Sequence, residues 1–344
     1  MSPPSSLAVG TRPLPDGWMD QVAAAWLRKL CSMAWLLWAI QALGQDTVAS
    51  FQPNPIPRLQ AIPLPGAEVS LQQDGQEVFR FHHSSGLRRP HVYPVLGPSG
   101  RSLIRMGHPH DPVGHSHHNG FWVSHHQVNG IDFWADHGAG KGQILHDRID
   151  SLEDGDREAA VVSSGVWLDS DQVIVLREKR RTALHVTESK QNLLLLDLYL
   201  EAAQPEVVFG KTPFGLVGVR RSKTIGVNDG GGRILNAEGL MNEEGVFWKA
   251  SRWVDYTGLV APGVVEGLTL MDHPTNPNHP TVFHVRNDGW MGACLTFDGE
   301  RKLKQGESLQ LRYGLLIHSG MQQAATLELV WKAFSQTQPH VFTP

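Results

Sequence analysis

At 344 residues, 41% hydrophobic and 19% charged, the chain can bury a sizeable core and lacks the composition of a disordered protein. A net charge of -4, from Lys+Arg 30 against Asp+Glu 34 with no long run of like charge, leaves no surplus to neutralise phosphates, so no nucleic-acid partner is expected. Gly 35 and Pro 22 serve turns and interrupt helices, which favours many short strands.

In chain order, Arg28 and Lys29 precede an apolar run over 31–40, and Ala42-Leu43-Gly44 follows with small residues where a signal peptidase cuts. This reads as a secretory signal over 1–44, with Met19 as an alternative start and 1–18 as an extension. The run falls short of the roughly 20 apolar residues that cross a bilayer, and nothing later is longer. The mature chain is therefore expected to be exported, periplasmic or extracellular, without a membrane span. Cleavage after Gly44 removes Cys31 and leaves Cys294 alone, so no intramolecular disulfide is expected.

Residues 45–66, with Pro53, Pro55, Pro57, Pro63 and Pro65, read as a linker, and 67–344 as one domain. Short apolar or alternating runs at 69–71, 78–81, 92–96, 121–123, 159–167, 173–176 and 193–200 predict strands. Turn chemistry separates them, as at Gln73-Asp74-Gly75, Pro98-Ser99-Gly100 and Asp154-Gly155-Asp156. No strand-helix-strand alternation is visible. Leu327, Val330, Trp331 and Phe334 recur at helical spacing within 321–336. The fold class that follows is all-β: a large antiparallel β-sandwich with a short C-terminal helix.

Nine of the 18 histidines fall between His108 and His146. In an extended segment His115 and His117 project together and His118 points the other way, so the first two, with His125, could share one divalent metal ion. Hydrogen-bonded acid/base chemistry and plain structural roles remain alternatives. Asn129-Gly130 is a hairpin signal that returns the chain with Asp132 and Trp134 on one face. A carboxylate there can orient an imidazole, and Trp122 and Trp134 can stack on a sugar ring or simply fill the core. Further along, alternation puts His284 and Arg286 on one face of a strand, and Arg312 and His318 opposite Leu311, Tyr313, Leu315 and Ile317. Asp255 lies between Trp253 and Tyr256, and Asp272-His273-Pro274 sets an acid beside an imidazole in a loop.

On these residues the chain resembles the bacterial PmoA-like family of unknown function (DUF6807-type, labelled "methane oxygenase PmoA"). The motifs run from Arg89-Pro90 through Gly97-Pro98, His115-x-His117-His118, Val128-Asn129-Gly130-x-Asp132-Phe133-Trp134 and Gly218-Val219-Arg220. They continue through Trp253-Val254-Asp255-Tyr256-x-Gly258, Asp272-His273-Pro274-x-Asn276-Pro277, Phe283-His284-Val285-Arg286 and Leu311-Arg312-Tyr313 to His318. A true particulate methane monooxygenase subunit is built of membrane-spanning helices, so the label does not fit the mature chain. What the resemblance implies is a galactose-mutarotase-like supersandwich and an association with carbohydrate.

Three functions compete. In the first, a carbohydrate epimerase, lyase or hydrolase uses His118 and His284 as acid and base, with His273, His318 and Asp255 or Asp132 assisting. Arg220, Arg286 and Arg312 would stabilise oxyanion charge, and Trp122, Asn129, Trp134, Trp253 and Tyr256 would contact a small carbohydrate or glycoside. The second is a non-catalytic carbohydrate-binding or scaffold protein of the cell envelope. The third, a soluble metal-dependent oxygenase, needs an open metal site. Histidines gathered in one hollow favour catalysis, and histidines spread over a convex face favour a scaffold.

Overall fold

The computed structural model describes residues 23, 24, 26–30 and 53–342, and the chain divides into two units, 1–56 and 57–344. In the first unit, residues 26–30 are helical and solvent-exposed. The expected signal run at 31–40 and its cleavage site at Gly44 lie outside the described residues. Among those residues, no helix is long and apolar enough to cross a membrane.

The second unit stacks two antiparallel sheets. One has nine strands in the order Leu59–Leu64, Glu68–Gln73, Gln76–His82, His91–Val95, Phe121–His125, Gly215–Arg220, Trp290–Cys294, Val282–Arg286 and Lys249–Ala250. The other has eight: Arg233–Asn236, Trp253–Ala261, Val264–Asp272, Ser308–Ser319, Asn192–Ala202, Ile174–Val186, Glu158–Leu168 and Gln143–Glu153. The chain is thus the all-β sandwich that its composition suggests. Its first strand corrects the linker expectation: Leu59–Leu64 pairs with Glu68–Gln73, burying Leu59 and Ala61. The proline-rich composition hides this strand because Pro63 is tolerated at a sheet edge.

Alternation builds the layers. Phe121, Val123, Val217, Val219, Phe283, Val285, Met291 and Ala293 face inward from the nine-stranded sheet and meet Leu194, Leu196, Leu198, Val254, Tyr256, Leu268 and Leu270 from the other. The run 193–196 is continuously apolar because both faces of that strand are covered. Leu193 and Leu195 turn outward and pack, with Trp253, Met271 and Leu316, beneath Leu327 and Phe334 of the C-terminal helix Ala324–Ser335. That helix closes the outer face of the eight-stranded sheet. The outer face of the nine-stranded sheet is left to loops.

Candidate functional site

Register dictates what that loop-covered face presents. Trp122 pairs with Gly218, Gly218 with Gly292, and Gly292 with His284, so these four form one row across the sheet. In the next row Arg220 pairs with Trp290 and Trp290 with Arg286. The two glycines are required by the indoles. A Cβ on Gly218 would come within 2.8 Å of both Trp122 and Trp290, and one on Gly292 within 2.7 Å of Trp290. Trp122 and Trp290 thus cross the sheet over bare backbone, and Trp134 joins them from a loop to make a three-indole cluster.

Above this floor lies a cavity of about 570 Å³ lined by His115, His117, His118, His126, Asp132, Trp134, Phe214, Arg220, His284, Arg286, Asp288 and Trp290, among others. The histidine segment is a series of turns rather than the extended stretch expected, since the His115 amide donates to Asp111 and the His118 amide to His115. All three imidazoles of that segment therefore reach the same hollow instead of splitting between faces. Arg89, fully buried, holds the roof together: it donates to the carbonyls of His117, Phe133 and Trp134, contacts Asn119 Oδ1, and pairs with Asp136 at 2.9 Å.

The imidazoles differ in chemistry. His118 stacks on Trp122 and Trp290 with centroids 5.4 and 5.2 Å away, and its Nδ1 has no hydrogen-bond partner. Burial, reinforced by His117 and Arg220, pushes its pKa far down, so it is neutral. His284 sits edge-on to Trp290 at 5.9 Å beside Phe214 and Phe247. Burial and then Arg286 push it down to about 4, and burial likewise takes His117 to about 4. His115 is different: its Nδ1 lies 2.7 Å from Asp111 Oδ2. Donation from Nδ1 to that carboxylate fixes the tautomer and leaves Nε2 with a free lone pair.

At the other wall Arg220 donates from Nη1 to Asp288 Oδ1 at 2.9 Å, and His108 Nε2 lies 3.2 Å from Asp288 Oδ2. Burial raises the Asp288 pKa, but Arg220 and His108 outweigh it and hold the carboxyl below its ordinary range. Asp132 accepts from the Trp134 and Ala135 amides and from Lys141 at 2.6 Å. Burial opposes these contacts and loses, so this carboxyl too stays ionised.

Several expected site residues lie elsewhere. Asp255, His318, Trp253, Arg312 and His273 belong to the helix-covered side of the eight-stranded sheet, with both sheets between them and the cavity. Asp255 accepts from His318 Nε2 at 2.8 Å, Thr269 at 2.9 Å and Thr257 at 2.6 Å, a closed buried network. Trp253 donates to Glu328, Arg312 pairs with Asp197, and His273 binds Thr275 and the Thr337 carbonyl, fastening the C-terminal segment. Tyr256 lies between the sheets and donates to the carbonyls of Arg286 and Asn287. Asn129 is a turn residue at positive φ whose side chain accepts from the Val208 amide.

The metal expectation fails on geometry. His125 faces the intersheet core, donating from Nε2 to Thr296 at 2.8 Å while Nδ1 accepts from the Gln127 amide. It cannot join His115 and His117. Among the described residues, no group of three His, Cys, Asp or Glu side chains is arranged to hold a metal ion.

Four participants lie outside the residues expected from the sequence: Asp111, His126, Asp288 and Trp290. The last two follow Asn287 in the turn Asn287-Asp288-Gly289-Trp290, whose hairpin signature could have led to them.

Fold and site together define an all-β sandwich protein with a histidine- and tryptophan-lined cavity on the outer face of its nine-stranded sheet. The chain belongs to the family of unknown function DUF6807, which matches residues 68–332. No curated protein matches it.

Proposed function

We propose that this cavity binds a small carbohydrate and carries out acid/base chemistry on it, of the kind that epimerisation, ring opening or β-elimination requires. The observation that carries this reading is the gathering of His115, His117, His118 and His284 with Arg220 in one sugar-sized hollow floored by indoles. A non-catalytic scaffold has no need to gather four imidazoles in one hollow.

In this reading His115 is the base. Asp111 holds its Nδ1–H, so Nε2 accepts the proton and the resulting imidazolium is stabilised by the carboxylate. His118 and His284, neutral at pH 7, donate N–H hydrogen bonds to sugar oxygens instead of serving as an acid and base pair. Arg220 and Trp290 offer free N–H donors to ligand oxygens. Trp134 and Phe214 offer apolar surface to a pyranose face.

Finer expectations accompany this reading. The stacked nine- and eight-stranded antiparallel sheets support a galactose-mutarotase-like supersandwich. Arg28 and Lys29 ahead of the apolar run support export to the periplasm or beyond. The test is a screen of glycosides and 3-keto-glycosides by NMR, which reads both binding and turnover. Turnover should fall by about 10²-fold or more in His115→Ala and substantially in Asp111→Asn, with the fold intact. Unchanged turnover in both would remove His115 from the chemistry, and absence of any sugar binding at millimolar concentration would remove the carbohydrate reading.

A further inference from the structure

Arg220 ends its strand with its guanidinium almost fully buried, at 1% exposure. Asp288 takes Nη1, while Nε and Nη2 have no partner. Those two nitrogens form one of the two guanidinium edges that present two parallel N–H groups, a fork that matches two oxygens of one carboxylate. Directly across the ladder, Trp290 is 4% exposed and its indole Nε1–H also lacks a partner. Three buried donors on adjoining residues of one cavity are thus left without an acceptor. Leaving such groups dry costs about 1–3 kcal/mol each, which a well-placed ligand would recover.

The charge pattern points the same way. Elsewhere around the cavity each cation has its own carboxylate: Arg286 has Glu243 at 2.7 Å, Lys141 has Asp132 at 2.6 Å and Arg89 has Asp136 at 2.9 Å. Behind Arg220, Arg105 donates only to backbone carbonyls, those of Arg221, Gly107 and Asp288. Among the described residues Asp288 is the single carboxylate in contact with Arg220, and no carboxylate contacts Arg105. Asp229 and Asp111, the other acids nearby, hydrogen-bond His110 and His115 and do not contact Arg220. His118, on the cavity side of Arg220, is neutral and supplies no competing charge.

The geometry points to a sugar acid as the ligand: a uronate-type carboxylate received by the Nε/Nη2 edge of Arg220 and the Trp290 Nε1–H, with the ring lying towards His115 and His284. This assignment rests on the carbohydrate reading above and narrows it to anionic sugars. A phosphate ester would satisfy the same donors, but its tetrahedral, more highly charged group is served less well by one planar fork and one indole.

The full chain should be titrated calorimetrically with methyl glucuronide, methyl glucoside and glucose 6-phosphate, with the indole N–H resonances followed by NMR. The glucuronide is expected to bind at least about ten-fold more tightly than the glucoside, as one charge-assisted bidentate pair implies. It should also shift the Trp290 indole signal, which Trp290→Phe identifies. Arg220→Lys keeps the charge but loses the fork, and should abolish the preference for the acid over the neutral glucoside. Equal binding of acid and neutral sugar, or a preference that survives in Arg220→Lys, overturns the sugar-acid assignment and leaves the carbohydrate reading standing. Tighter binding of the phosphate overturns the carboxylate. Failure of all three sugars to bind overturns both inferences.

Discussion

Replacing Gly218 by alanine tests the indole floor on which the site depends. The added methyl would stand 2.8 Å from Trp122 Cζ2, 2.8 Å from Trp290 Cη2 and 2.9 Å from Trp122 Cε2. Carbon atoms in comfortable contact are about 3.5 Å apart or more, so two ring systems must each retreat by roughly 0.7 Å. Neither is free to do so, because Trp122 and Trp290 pack on each other, on Trp134 and on His118. Overpacking of this kind costs about 1–3 kcal/mol. Chemical denaturation should show that loss, and near-UV circular dichroism should show altered indole coupling. Gly299→Ala, where nothing lies within 4 Å of the new Cβ, serves as the control and should change stability by less than about 0.5 kcal/mol. A Gly218→Ala protein as stable as the parent, with the same near-UV spectrum, would refute the placement of the two indoles over this glycine.

Acid should destabilise the fold through its buried histidines. Burial pushes His91 and His284 down to about 4, so between pH 6.5 and 4 the unfolded chain binds protons that the folded chain does not. Stability then falls with falling pH by about 1.4 kcal/mol per unit for each of these groups, and His284→Gln should flatten the slope measured by denaturant titration. Below that window Asp255 adds to the loss. Burial alone would raise its pKa, but His318, Thr257 and Thr269 hold it below 3.8, and that stability disappears as the carboxyl protonates. His125→Ala should destabilise by about 1–3 kcal/mol, since it strands Thr296 and the Gln127 amide, yet leave any divalent-metal affinity unchanged in calorimetry. Arg89→Met should loosen the histidine segment and the 133–136 loop together, read as faster amide exchange at both with little change in the sandwich core.

Strands and their faces were legible wherever one face is apolar and the other polar. Alternation alone places His284 and Arg286 on one side of their strand, and both line the cavity. The same rule misled at Arg312 and His318. It assigns polar residues to an open face, whereas here that face is covered by the C-terminal helix and contains the buried Asp255 network. Alternation cannot reveal a third layer. It failed at His115–His118 for another reason: that segment is coiled into turns by Asp111, and period-two reasoning holds only for extended backbone. The Pro-rich stretch concealed an edge strand because composition weighs residues without regard to which edge they occupy.

The order of strands around the cavity has a further consequence. Phe121–His125 and Gly215–Arg220 are ladder neighbours, yet four long strands of the opposite sheet, from Gln143–Glu153 to Asn192–Ala202, are threaded between them in sequence. The pairing that aligns Trp122 with Gly218 is therefore among the most remote closures in the chain, and such closures form slowly. No excised half of the protein carries the whole cavity lining, which runs from His115 to Trp290. The hollow is complete only once strands from both sides of that long interval have been wound into place.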